Sequence, residues 1–111
     1  MTPEAALMQG VMLALGCEHD LTLWRNNVGV AQWRNGARTR YGLAPGSADL
    51  IGVLAPGRFF ALELKSAKGR LTADQAHWLA HVRKRGGFAA VVRSTDDARA
   101  ALARARAGAV E

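Results

Sequence analysis

Cysteine is almost missing from this chain: Cys17 stands alone among 111 residues. One thiol excludes an internal disulfide and a cysteine-based zinc site, and it fits a reducing compartment such as the cytoplasm. Long hydrophobic runs are missing too. The apolar stretch after Glu4 is too short to span a bilayer, and an early acid stands where a signal peptide has a basic start, so no membrane partner is expected. Acids are the scarcer charge, with nine Asp and Glu against fifteen Lys and Arg, for a net charge of +6. Most of that basic excess is arginine, which grips phosphate bidentately, and the balance favours a polyanion such as nucleic acid. There is no internal repeat. Low complexity is confined to an Ala- and Arg-rich C-terminal part, and the segment after Arg104 reads as a candidate for disorder.

What remains is a chain that is 50% hydrophobic, enough for one domain with a modest core. Thr2 can cap a helix that starts with Pro3, carries Glu4 in its first turn and stops near Gly16. Met8, Val11, Met12 and Leu15 form its apolar stripe. Glu4 lies one turn before Met8. It serves the helix dipole, or it points along the stripe into a site. Leu21–Asn26 reads as a strand. Val28–Trp33 and Thr39–Tyr41 flank Asn35-Gly36, a hairpin signal. Arg25, Arg34, Arg38 and Arg40 lie in this region among Trp24, Trp33 and Tyr41. Such interleaving suits a nucleic-acid groove and equally a solvated hairpin over packed aromatics.

Gly42–Ser47 reads as a loop, Ala48–Leu54 as a strand, Ala55–Arg58 as a tight turn and Phe59–Lys65 as the next strand. Antiparallel pairing brings Asp49, at the start of one strand, to Glu63, near the end of the other. Alternation puts Phe59, Ala61, Glu63 and Lys65 on one face and Phe60, Leu62 and Leu64 on the opposite one. Charges on so apolar a strand either pair with each other or hold something. Lys68 and Arg70 follow in a basic loop. Thr72 then opens a helix with Gln75 three residues on, a capping-box pattern. Gln75 either folds back on Thr72 or points from the stripe of Trp78, Leu79 and Val82 towards Glu63 and Lys65. Gly86-Gly87 ends this helix. Phe88–Arg93 is a strand, and Ser94 or Thr95 caps a last helix, about 95–107, with a stripe of Ala98, Ala101, Leu102 and Ala105. His77 and His81 have zinc-compatible spacing, but Trp78 stands where a zinc protease needs glutamate.

Gly46-Ser47-Ala48-Asp49, Glu63-Leu64-Lys65 and Leu71–Trp78 together resemble the VRR-NUC family of the PD-(D/E)XK nuclease superfamily, in its short stand-alone phage or bacterial form. Leu50-Ile51-Gly52 and Gly86-Gly87 resemble it as well, over about Glu4 to Ser94. The superfamily's proline before the aspartate is Ala48 here. The resemblance implies an α/β fold: a mixed sheet flanked by helices, with an αβββαβ core over about 2–94 and a C-terminal helix, one domain over 1–111. It implies that Asp49, Glu63 and the Leu64 carbonyl bind Mg²⁺ or Mn²⁺. Lys65 would contact the attacking water or the phosphate, Glu4 would be a metal or supporting ligand, and Gln75 would support the site. Hard oxygen donors suit those ions. Two carboxylates about 4 Å apart repel by roughly 4 kcal/mol at an effective dielectric near 20, and a cation reverses that sign. The function implied is a structure-selective DNA endonuclease, a homodimer acting on branched DNA such as Holliday junctions in a bacterial or phage-infected cytoplasm. The Arg-rich segments, with Lys68 and Arg70, would track the DNA backbone. A binding module that has lost catalysis and a plain interaction module are the alternatives.

Overall fold

The computed structural model describes all residues, 1–111, as α1 (Pro3–Leu15), β1 (Leu21–Arg25), β2 (Gly29–Gln32), β3 (Arg38–Tyr41), β4 (Leu50–Leu54), β5 (Arg58–Leu64), α2 (Ala73–Lys84), β6 (Phe88–Val92) and α3 (Thr95–Arg106). Each helix begins where a hydroxyl can receive an orphan amide. Thr2 Oγ1 accepts from Ala5 N at 3.1 Å, Thr72 Oγ1 from Gln75 N at 3.1 Å, and Ser94 Oγ from Asp97 N at 3.0 Å. The last bond decides between Ser94 and Thr95. Asp97 Oδ2 completes the arrangement by accepting from Arg93 N at 3.0 Å.

Four strands form one mixed sheet in the order β1-β4-β5-β6. β4 runs antiparallel to β1 and β5, while β5 and β6 are parallel with α2 as their crossover. The hairpin β2–β3 is a separate two-stranded ribbon. Its turn is the Asn35-Gly36 signal: Gly36 has φ +87°, and Asn35 Oδ1 accepts from Ala37 N at 2.9 Å.

Strand alternation divides the core in two. Phe60, Leu62 and Leu64 join Leu50, Leu54, Phe88 and Val92 in the larger cluster, which takes in Val11 and Leu15 of α1 and Ala98, Ala101, Leu102 and Ala105 of α3. Ala61, Ile51 and Ala89 face the other way, under Leu79 and Val82 of α2. Phe59 shares that second side and meets Trp78 edge-on at 6.1 Å between centroids.

The segment after Arg104, whose order composition leaves open, is tied down. Ala89 N donates to Val110 O at 2.9 Å, so the chain end covers the free edge of β6. The guanidinium of Arg58 donates to the carbonyls of Gly86, Ala105 and Ala109 at 2.9, 2.9 and 2.5 Å. Small side chains lack hydrophobic signal, but they leave the backbone open to such bonds. No helix is long and apolar enough to cross a membrane.

Candidate functional site

The site grows from a break in the ladder between β4 and β5. Their register pairs Leu50 with Leu62, so one step further places Asp49 beside Glu63, and a second places Ala48 beside Leu64. Strand β4 nonetheless begins at Leu50, not at Ala48 as the sequence reading had it. The Ala48 carbonyl is taken by the Asn26 side-chain amide at 2.9 Å. The Leu64 amide, deprived of that partner, donates instead to Asp49 Oδ2 at 2.8 Å. A carboxylate has replaced a backbone carbonyl in the ladder. The strands diverge there, and Asp49 is held against β5 between Glu63 and Lys65.

Asn26 does more than take one carbonyl. Its side chain also donates to Ser47 Oγ at 2.8 Å, and its backbone N–H donates to Asp49 O at 2.9 Å. Three bonds from one residue thus fix Ser47, Ala48 and Asp49. Gly46, just before them, has φ +83°, and a Cβ there would lie 2.5 Å from the backbone of Asp74. The loop therefore seats on the start of α2 only with glycine at that position.

Glu63 is the one buried charged side chain, 2% exposed. It follows Ala61 in the alternation and so lies on the α2 side of the sheet. Its Oε2 has no hydrogen-bond partner. Burial pushes its pKa up from 4.5 to about 8, and hydrogen bonding with Asp49 and the charges of Asp49 and Glu4 push the same way, while Lys65 opposes them. At neutral pH the metal-free site therefore holds Glu63 in its protonated form, beside Asp49. This is the environment that a hard cation would relieve: two oxygen-bearing acids in register and one buried oxygen unmet. The Leu64 carbonyl adds to them. N–H and C=O of one strand residue point to the same side. Since Leu64 N faces Asp49 while Lys65 N donates to Val92 O at 3.0 Å, the Leu64 carbonyl leaves on the Asp49 side.

Glu4 lines the same cavity as Asp49, Leu64 and Arg25, and its charge reaches Glu63. It does not complete a cluster: no group of three His, Cys, Asp or Glu side chains is placed to share a metal. Gln75 departs from the site-facing role that the resemblance implies. Its Oε1 accepts from Thr72 N at 2.9 Å, and the capping box is complete. The side-chain amide folds back on the helix start, where it meets an otherwise orphan donor. The histidine pair also stays apart from metal chemistry, with His81 Nδ1 3.0 Å from the Arg85 guanidinium.

The basic residues divide into three places. Arg25 ends β1 and enters the acid cavity. Arg34, Arg38 and Arg40 are exposed on the ribbon, where Arg38 and Arg40 face Gln32 and Val30 across the ladder. Lys68 and Arg70 sit in the loop after Lys65. Arg93 orders that loop: it donates to Ser66 O at 2.6 Å and to Gly69 O at 2.7 Å. The sequence reading missed Asn26 and Arg93. Their roles depend on register: Asn26 lies one step past the pair Arg25–Leu50, and Arg93 one step past Leu64–Val92.

The family model described as the VRR-NUC domain matches residues 17–96. No curated protein matches the chain. A solved structure described as a VRR_NUC domain is similar over 93% of this chain and 97% of its own, at 20% identity and a TM-score of 0.61. At that identity the likeness speaks for the fold, a mixed sheet flanked by helices.

Proposed function

The chain belongs to the VRR-NUC domain family, a nuclease-type module of DNA processing, and on that premise we propose that it is a Mg²⁺- or Mn²⁺-dependent, structure-selective DNA endonuclease. The observation that carries this reading is the acid pair in continued register, Asp49 and Glu63, with Lys65 two residues on and the Asp49 carboxylate bonded to the amide between them.

In this reading Asp49, Glu63 and the Leu64 carbonyl hold the metal. Once bound, the ion lowers the pKa of water and withdraws charge from the phosphate. The chain's own groups do the rest. Asp49 is preorganised by the Leu64 amide, so little ordering is left for the moment of binding. Glu63 would release its proton to solvent were a cation to take its place on the oxygens. Lys65, just beyond β5, supplies the positive charge that favours the phosphate and the charge developing on its oxygens. Arg25, at the same cavity, holds the adjoining backbone by a phosphate contact. The ribbon arginines and the loop residues Lys68 and Arg70 extend that contact along the strand without reading bases. Branched DNA such as a Holliday junction is the proposed substrate, and a homodimer suits its two-fold symmetry.

A second reading, a nucleic-acid-binding module with weak or absent catalysis, is favoured by two observations: Glu4 does not complete a three-carboxylate cluster, and Gln75 is engaged as a cap. One assay separates the two. Purified protein is incubated with a four-way junction, a flap and linear duplex, in Mg²⁺, Mn²⁺ or EDTA. Metal-dependent cutting that prefers branched forms is expected. Binding without cutting in any metal selects the module, and neither binding nor cutting overturns both.

A further inference from the structure

The cavity that holds Asp49 has a second wall of different chemistry. It encloses about 660 Å³ between α1 and the acid end of the sheet, within the range of roughly 300–1,000 Å³ typical of pockets for one small ligand. Arg25, Asp49 and Glu4 are its charged residues. Met1, Met8 and Met12 line it as well, and these are all three methionines of the chain. The core accounts for only part of them: Met8 and Met12 pack against the larger cluster from its margin. Of the residues of α1, only Val11 and Leu15 are buried, while Met8 and Met12 are half-buried, one turn apart, with the remainder of each side chain open to the cavity. Thioethers on unbranched side chains adapt their shape and make favourable contact with aromatic faces.

Within continuous duplex every base face is covered by its neighbours. A nucleotide outside the stack exposes one. Building on the nuclease reading above, we propose that this cavity receives one unpaired nucleotide adjoining the phosphate to be cut, its base resting on Met8 and Met12 and its phosphate held by Arg25. Charge complementarity sets the orientation. Arg25 is the one guanidinium that lines the cavity, and the thioethers of Met8 and Met12 offer a phosphate no partner. Structure selectivity then has a local cause: junction points, flap bases and frayed ends supply an unstacked nucleotide at little cost, and uninterrupted duplex must break stacking first.

The test uses 2-aminopurine, whose emission rises when it leaves the stack and falls when it stacks. The probe is placed at successive positions around the branch of a flap and at the same positions in linear duplex, in Ca²⁺ so that binding is read without relying on cutting. The wild-type protein is expected to change the emission of one flap position and none in the duplex. Met12→Ala should abolish that change, and the volume-conserving Met12→Leu separates loss of packing from loss of the thioether, with thermal unfolding confirming that each variant is folded. In Mn²⁺, Met12→Ala should raise KM for the flap about tenfold, with kcat changed less. Equal emission changes in flap and duplex, or a folded Met12→Ala variant that retains the wild-type signal, overturn the proposal. Cutting with KM unchanged in that variant overturns the pocket alone and leaves the nuclease reading standing. A wild-type protein that cuts nothing but shows the flap-specific signal overturns catalysis and supports the pocket.

Discussion

The amide of Leu64 donates to Oδ2 of Asp49 at 2.8 Å, in the ladder position that the carbonyl of Ala48 would fill. One acid side chain thus both ends a strand pairing and becomes part of a site. The two roles respond differently to substitution. Asp49→Asn keeps an oxygen that can accept from Leu64 and removes the charge. It should unfold within about 1 kcal/mol of wild type and lose Mn²⁺ affinity. Asp49→Ala leaves the Leu64 amide without this partner and should lose a further 1–3 kcal/mol or so. Chemical denaturation alongside calorimetric Mn²⁺ titration reads both quantities. Undiminished metal binding in Asp49→Asn would remove Asp49 from the ligand set.

Glu63 makes metal-free stability depend on pH with a defined sign. Its pKa is 4.5 before folding and about 8 in the fold, so the folded state holds a proton that the unfolded chain releases. The contribution to stability is full below pH 4.5 and is lost as pH rises to 8, after which both states are ionised. At about 1.4 kcal/mol per pH unit at most, the loss amounts to a few kcal/mol. Urea unfolding in EDTA between pH 5 and 9 should show stability falling with pH, and Glu63→Gln should flatten the slope. Metal should bind at pH 7 with release of about one proton, seen as a dependence of binding heat on the ionisation enthalpy of the buffer. A slope unchanged by Glu63→Gln would assign the effect to other groups.

Lys65 opposes the upward shift of Glu63. Lys65→Ala should therefore raise the pH at which metal binds, because the proton on Glu63 becomes harder to displace. It should lower turnover at saturating metal by about a hundredfold or more, the scale on which a charge aimed at the transition state acts. Metal affinity at a pH high enough to ionise Glu63 in both proteins should change little. A comparable fall in turnover and in affinity at that pH would make Lys65 a structural partner of the acids instead.

Much of this was readable before any coordinates. The caps at Thr2 and Thr72, the Asn35-Gly36 turn and the alternation along Phe59–Lys65 are local signals, each written in a few consecutive residues. The approach of Asp49 to Glu63 was readable as well, because a short turn at Ala55–Arg58 fixes the register of the strands that it joins. Asn26 and Arg93 were not. Each works on a segment more than twenty residues away, through pairings of β1 with β4 and of β5 with β6 that no turn dictates. Gln75 shows the opposite limit. Its motif was visible, but one glutamine satisfies two patterns, and only the position of its Oε1 decides between them.

Asn26 gives that non-local dependence a measurable form. It contacts the loop that delivers Asp49 and touches no acid through its side chain. Asn26→Ala should weaken Mn²⁺ binding and lower kcat by about tenfold. A carboxamide at the same place is what the two acceptors, Ser47 Oγ and Ala48 O, require, so Asn26→Asp should be no better than alanine. A variant with wild-type kcat would show that Gly46 and the strand ladder place Asp49 unaided.

Gln75 can be tested by a substitution that separates capping from chemistry. The capping box uses the side-chain oxygen at this position, and glutamate serves there as well as glutamine does. Its charge also suits the first turn of a helix. Gln75→Glu should therefore keep the stability of α2 within about 0.5 kcal/mol, while Gln75→Ala should lose roughly 1 kcal/mol, the usual scale for a lost cap contact. If the residue acts only on Thr72, cutting of branched DNA should be unchanged within twofold in Gln75→Glu and should fall in Gln75→Ala only near the unfolding temperature. An amide needed at the site gives a different pattern: Gln75→Glu places a further negative charge beside Asp49 and Glu63, so cutting collapses while α2 stays folded. The bond from Thr72 N to Gln75 Oε1 predicts the first pattern. Paired melting curves and cleavage rates for the two variants decide it, because a cap and a catalytic support respond oppositely to the same added charge.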